Sequence, residues 1–176
     1  MLLGSALINH YALVGAAAYK SLAALHEVCG FLLLVCWLGF VLINAVGGNG
    51  RHYRIRRQGW LGRAVKQTRF YLSGIMQGEA HPFPATMQSK FNPLQQIAYI
   101  GVMYGLLPLL LVTGLLGLYP QVVGDVFPGV RYWLLQAHFA LAFISLFFIF
   151  GHLYLCTTGR TPHETFKCMI DGYHRH

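Results

Sequence analysis

Apolar residues dominate three long stretches of the chain, Ala23 to Val46, Gln95 to Leu118 and Tyr132 to Leu155, and few polar positions interrupt them. A helix needs about 20 mainly apolar residues to cross a hydrocarbon core, and each stretch is long enough. A fourth apolar run, residues 1–18, is broken by Asn9 and His10 and followed by Lys20, so it predicts only a partial helix. Between the first two spans, over residues 51–91, the pattern turns polar. There Trp60 to Met76 predicts an amphipathic helix at the membrane surface, with Arg63, Lys66 and Arg69 placed to meet anionic headgroups. Gly47-Gly48-Asn49-Gly50 ends the first span with residues suited to positive φ. His81-Pro82-Phe83-Pro84 is a turn or extended breaker, and Tyr119 to Arg131, with Pro120, Gly124, Asp125 and Pro128, is a short turn. The expected fold is an all-α integral membrane helical bundle. It forms a single domain over residues 1–176, with three full transmembrane helices (23–46, 95–118, 132–155) and a partial N-terminal one.

Composition agrees with lipid burial. The chain is 56% hydrophobic and 10% charged, with a mean hydropathy of +0.51, whereas soluble domains carry about 25% charged residues. A net charge of +8 would suggest nucleic acid in a soluble protein, but no nucleic-acid fold signature accompanies it. The charge reports topology instead. Of 13 basic residues, Arg51, Arg54, Arg56, Arg57, Arg63, Lys66, Arg69 and Lys90 lie in the long loop, and Arg160, Lys167 and Arg175 in the tail. Only Lys20 and Arg131 remain for the other side. The positive-inside rule then makes the loop and the C-terminal tail cytoplasmic in a multi-pass protein. The first span must start outside, so Met1 to Ile8 reads as the outer half of an earlier helix, and the natural protein is expected to begin upstream. It does not read as a signal peptide. Cys29, Cys36, Cys156 and Cys168 form no C-x-x-C pair, which argues against covalent haem attachment and for small buried hydrophobes.

Three of the nine histidines, His26, His138 and His152, fall in or at the ends of spans. Ionisable groups inside a membrane default to function with a partner, and neutral imidazole is a strong ligand for haem iron. His138 and His152 are fourteen residues apart, about 21 Å of rise and about 40° short of four full turns. They therefore face one way at two depths. His26 sits at the depth of His138, so these two make a natural axial pair for an outer haem, while His152 stands alone near the cytoplasmic side. A proton relay would want acidic partners at mid-membrane depth, and the only acid in a span is Glu27, at its edge. His52, His81, His163, His174 and His176 read as solvated loop or tail residues, and His10 as an outer-side one.

These residues resemble the cytochrome b subunits of bacterial thiosulfate reductase and formate dehydrogenase and of nickel–iron hydrogenase. Leu25-His26-Glu27 opens a span that ends Gly48-Asn49-Gly50-Arg51-His52-Tyr53, and Lys90-Phe91-Asn92-Pro93-Leu94-Gln95-Gln96 starts the next. His138 and His152 follow at the family spacing, then Thr158-Gly159-Arg160-Thr161-Pro162 and Met169-Ile170-Asp171-Gly172-Tyr173. The likeness covers almost the whole chain and is nearest to the thiosulfate reductase type. It implies a four-helix bundle with two b haems, passing electrons between a partner oxidoreductase and the quinone pool, with menaquinone or ubiquinone as substrate. His26 and His138 would ligate the outer haem and His152 the inner one. Asn92, assisted by Gln95, would bind the quinone headgroup, although Asn92-Pro93 also reads as an ordinary helix N-cap with Pro at the first position. Arg131 is placed to neutralise haem propionates. The partners implied are a catalytic molybdopterin or nickel–iron subunit and a ferredoxin-like iron–sulfur subunit. The family's first helix carries a histidine, usually followed by Trp, as the second inner-haem ligand, and no such residue occurs here. Two other classes stay open, a haem-free membrane anchor for a catalytic subunit and a small transporter or proton channel.

Overall fold

The computed structural model describes residues 15–55, 58–84 and 91–157, with backbone alone at 16, 17 and 155–157. Most of the partial first helix, Arg56, Arg57, Lys90, Cys168, the basic tail, His10, His163, His174 and His176 lie outside the described residues, as does the side chain of Cys156. Every regular element among the described residues is helical. Three stretches, Ala18–Val46, Pro93–Gly117 and Val130–Tyr154, are long and apolar enough to cross a membrane. The spans begin a few residues earlier than the hydropathy pattern alone suggests. Their outward faces stay apolar, with Leu32, Val35 and Leu42 on the first and Leu109 and Val112 on the second all exposed. A soluble protein seldom shows so much apolar surface, and lipid is its natural solvent. The chain divides into two compact units, Met1–Ala142 and Phe143–His176.

In the first unit, α1 (Ala16–Val46) gives way to a 3₁₀ turn (Asn49–Tyr53) through the glycine run. Gly48 takes φ 68°, a left-handed conformation that favours glycine, and a Cβ at Gly50 would stand 2.9 Å from the Asn44 carbonyl oxygen. The buried Asn44 accepts from Asn49 Nδ2 at 2.6 Å, and Gln96 Nε2 donates to the carbonyls of His52 and Arg54 at 2.7 and 3.0 Å. Aromatic rings join the same ends. Tyr53 packs on Phe40, Phe91 and Tyr104 at centroid distances of 5.7, 5.5 and 5.7 Å; such pairs contribute about 0.5–1.5 kcal/mol each.

The loop that follows contains the expected amphipathic element, α2 (Trp60–Arg69), continued by a single π-helical turn (Phe70–Gly74). Ala64, Gln67, Phe70 and Gly74 face inward, with Gln67 at 0% exposure. Leu61, Val65, Leu72 and Met76 face outward at 72%, 67%, 70% and 81%. Of its basic residues, Lys66 and Arg69 are exposed, Lys66 lying 5.9 Å over the Phe83 ring, and Arg63 Nη1 donates to the Gln58 carbonyl at 2.6 Å.

The second span is α3 (Pro93–Gly101), a π-helical turn (Val102–Leu106) and α4 (Leu107–Gly117). The middle turn follows from Pro108. In the π turn the Leu107 N–H donates to the Val102 carbonyl. The carbonyl of Met103 would next look to residue 108, and proline has no N–H to give. Trp37 of α1 meets it instead, its indole N–H donating to the Met103 oxygen at 2.7 Å. A broken helix in lipid is tolerated only when the freed backbone group finds such a donor. The segment to the third span is more ordered than a simple turn, because Pro120–Val126 forms α5. The third span belongs to α6 (Val130–Thr157), whose first part lies in the first unit. In the second unit, Phe143 and Phe147 rings stand 6.4 Å apart on that helix.

Candidate functional site

The expected outer pair is brought together. His26 on α1 and His138 on α6 are half-buried, each eight residues in from the start of its span, with ring centroids 6.2 Å apart and planes at 79°. A ligating imidazole nitrogen lies about 2 Å from its metal, so two rings on opposite sides of one ion have centres about 6 Å apart. The spacing fits two imidazoles that would hold one metal ion between them, and His26 and His138 are the residues that would hold a haem. Among the described residues no cluster of three or more His, Cys, Asp or Glu forms a metal cage. A haem asks only for two protein ligands.

The second span supplies the rest of the seat. Thr113 Oγ1 lies 2.9 Å from His138 Nδ1, and also 2.8 and 3.0 Å from the carbonyl oxygens of Leu109 and Leu110. The neighbouring Gly114 lets the ring approach, since a Cβ there would stand 3.1 Å from His138 Cε1. Three spans thus meet at one level near the α4–α6 connection. Arg131 is exposed on the first turn of α6. Seven residues before His138, it lies about two helical turns outward on the same face.

His152 belongs to the second unit, half-buried and stacked on Phe148 at 5.9 Å and 17°. Asn92 and Gln95 stand at the start of α3, and the side-chain oxygen of each serves the helix cap. Asn92 Oδ1 accepts from the Leu94 and Gln95 N–H groups at 3.1 and 2.9 Å, and Gln95 Oε1 accepts from the Asn92 N–H at 3.2 Å, closing a capping box with Pro93 at the first turn. Asn92 Nδ2 donates to the Tyr71 hydroxyl at 2.7 Å. Burial pushes the Tyr71 phenol above its ordinary pKa, against the Asn92 bond, which lowers it.

One loop histidine departs from the solvated role expected of it. His52 is buried at the end of α1, its Nε2 accepting from Arg51 Nε at 3.3 Å. His81 is exposed, as expected, while one side of its ring packs on Phe70 and Tyr71 at 4.9 and 6.4 Å, and this partial burial holds its imidazole below the usual histidine pKa. Cys36, expected to be buried, is exposed on α1, while Cys29 is half-buried, and neither forms a disulfide.

Sequence reasoning missed Thr113, Gly114 and Tyr71. A threonine and a glycine in an apolar run carry no chemical signal of their own, and their proximity to His138 needs three dimensions. The signal that did exist was a hydroxyl four residues inside the end of the second span, at the depth of the histidine pair.

The prokaryotic cytochrome b561 family matches over residues 1–172. A provisionally named cytochrome YdhU of Escherichia coli (strain K12) is 86% identical over 176 residues, which are 100% of this chain and 67% of that protein. No solved structure matches.

Proposed function

We propose that this chain, which belongs to the prokaryotic cytochrome b561 family, is a b-haem membrane subunit that passes electrons between a partner oxidoreductase and the quinone pool. Membership makes it a haem-binding membrane electron-transfer protein, and the rest of the reading is ours. The observation that carries it is the His26–His138 pair, two imidazoles from two spans at 6.2 Å. Bound haem supplies one-electron oxidation and reduction at a potential set by axial ligands, burial and hydrogen bonds. In this reading His26 and His138 hold the outer haem, and His152 is a ligand of an inner one. Arg131, on the His138 face, would neutralise propionates of the outer haem.

Asn92, assisted by Gln95, is the group we place at the quinone headgroup. The oxygens of both side chains also serve the cap of α3, and the Tyr71 hydroxyl beside Asn92 is a further donor to a quinone carbonyl. It accepts from Asn92 and keeps its own proton to donate. The partners we put forward are a molybdopterin or nickel–iron catalytic subunit and a ferredoxin-like iron–sulfur subunit, with the thiosulfate reductase type foremost. The membrane is a bacterial inner membrane with the C-terminus cytoplasmic. Haem counted per polypeptide by pyridine haemochrome is expected to fall by one in both His26→Ala and His138→Ala. Quinol added to membranes should reduce the haem of the wild type. Full haem retention in His138→Ala would sink the ligand assignment.

A further inference from the structure

We infer that Thr113 is a positioning residue that sets the tautomer and orientation of His138, with Gly114 leaving the space for the ring. The inference rests on the reading of His26 and His138 as haem ligands.

The Thr113 hydroxyl has one proton to give. The Thr113 hydroxyl lies 2.8 Å from the Leu109 carbonyl oxygen and 3.0 Å from that of Leu110. Carbonyl oxygens only accept, so a contact this short needs a hydrogen between the atoms, and the hydroxyl has just one. Threonine inside a helix commonly spends it on the carbonyl four residues back, because its stiff χ1 points Oγ1 there. Toward His138 Nδ1, at 2.9 Å, the oxygen then has only lone pairs to offer. Nδ1 must carry the imidazole hydrogen and donate it. In a neutral ring that leaves the free lone pair on Nε2, the nitrogen available to iron.

Metal-bound histidines usually give their second N–H to such an acceptor, which fixes the ring and makes it a better electron donor. Here the acceptor is the Thr113 hydroxyl, with the Leu110 carbonyl beside it as a second hydrogen-bond partner of the His138 ring. Gly114 completes the seat, because an alanine Cβ 3.1 Å from Cε1 would push the ring off the line that Thr113 sets.

Thr113→Val keeps the β-branched shape and removes the acceptor, and Thr113→Ser keeps the hydroxyl. Both are compared with wild type in membranes by haem content, redox titration and the ferric low-spin electron paramagnetic resonance spectrum. Without the acceptor the imidazole donates less charge, the ferric state loses stabilisation, and the midpoint potential of Thr113→Val is expected to rise. Its g-values should shift, with Thr113→Ser close to wild type on both readouts. Haem loss in Thr113→Val but not in Thr113→Ser supports the same conclusion. An unchanged potential and spectrum in haem-loaded Thr113→Val, or equal haem loss in both variants, overturns it. His138→Ala run alongside separates the two levels. If it keeps its haem, the ligand reading falls and the inference with it; if it loses haem while Thr113→Val behaves as wild type, only the inference falls.

Discussion

Asn92 shows how far one side chain can be committed. Its oxygen serves two backbone N–H groups and its nitrogen the Tyr71 hydroxyl, so the same amide caps α3 and ties it to the loop. Losing an N-cap amide costs about 0.5–2 kcal/mol, and stranding the half-buried Tyr71 hydroxyl adds to that. Asn92→Ala is therefore expected to lower the denaturation midpoint in detergent, while Asn92→Asp, which keeps the accepting oxygen, should lower it less. His81 offers a pH test. Its pKa is lowered by burial, so the unfolded chain, near 6.5, takes up a proton before the folded one does. Its contribution to stability is present above about pH 6.5 and is lost as pH falls through the lowered folded value. A pH series of thermal denaturation should show wild type losing stability on acidification more steeply than His81→Gln; parallel curves would refute the assignment. Asn92 was legible in the sequence as a cap because capping is local. His52 was not legible as buried, because Gln96 covers it from across the loop by donating to its carbonyl.

The middle of the second span is the element where local chemistry and tertiary packing are most entangled. Pro108 denies the Met103 carbonyl a helical partner, and Trp37 provides one from α1. Trp37→Phe is expected to destabilise the protein by about 1–3 kcal/mol, the cost of an unsatisfied buried carbonyl. In a Pro108→Ala background a new N–H can serve that carbonyl, so the same Trp37→Phe change should cost less. A double-mutant cycle on thermal stability measures the difference, and strict additivity would disprove the link. The three spans themselves were legible from hydropathy, since about 20 apolar residues admit few other structures. The turns inside them were not, because proline in an apolar run announces a disturbance without saying which carbonyl is freed or what answers it.

At the scale of the molecule, the first span ends and the second begins on one side, where the glycine turn, the aromatic cluster and α2 meet. Leu61, Val65, Leu72 and Met76 face outward there, on a segment tethered to a membrane-crossing helix at each end, so lipid is the partner we assign to that face. A nitroxide at Leu72 in vesicles containing anionic lipid is expected to be relaxed by membrane-dissolved oxygen more than by a water-soluble nickel chelate. The reverse ranking would place the face in water. The paired histidines were foreseen because depth along a span can be counted from sequence. Thr113 was not, for a reason that lies in the π-helical turn at Val102–Leu106. Such a turn takes one residue more than an α-helical turn, so every side chain beyond it is set back by about 100° around the axis. The turn acts as a phase shifter: it delivers Thr113 and Gly114 to the His138 side, where an unbroken helix of the same sequence would aim a different pair of residues.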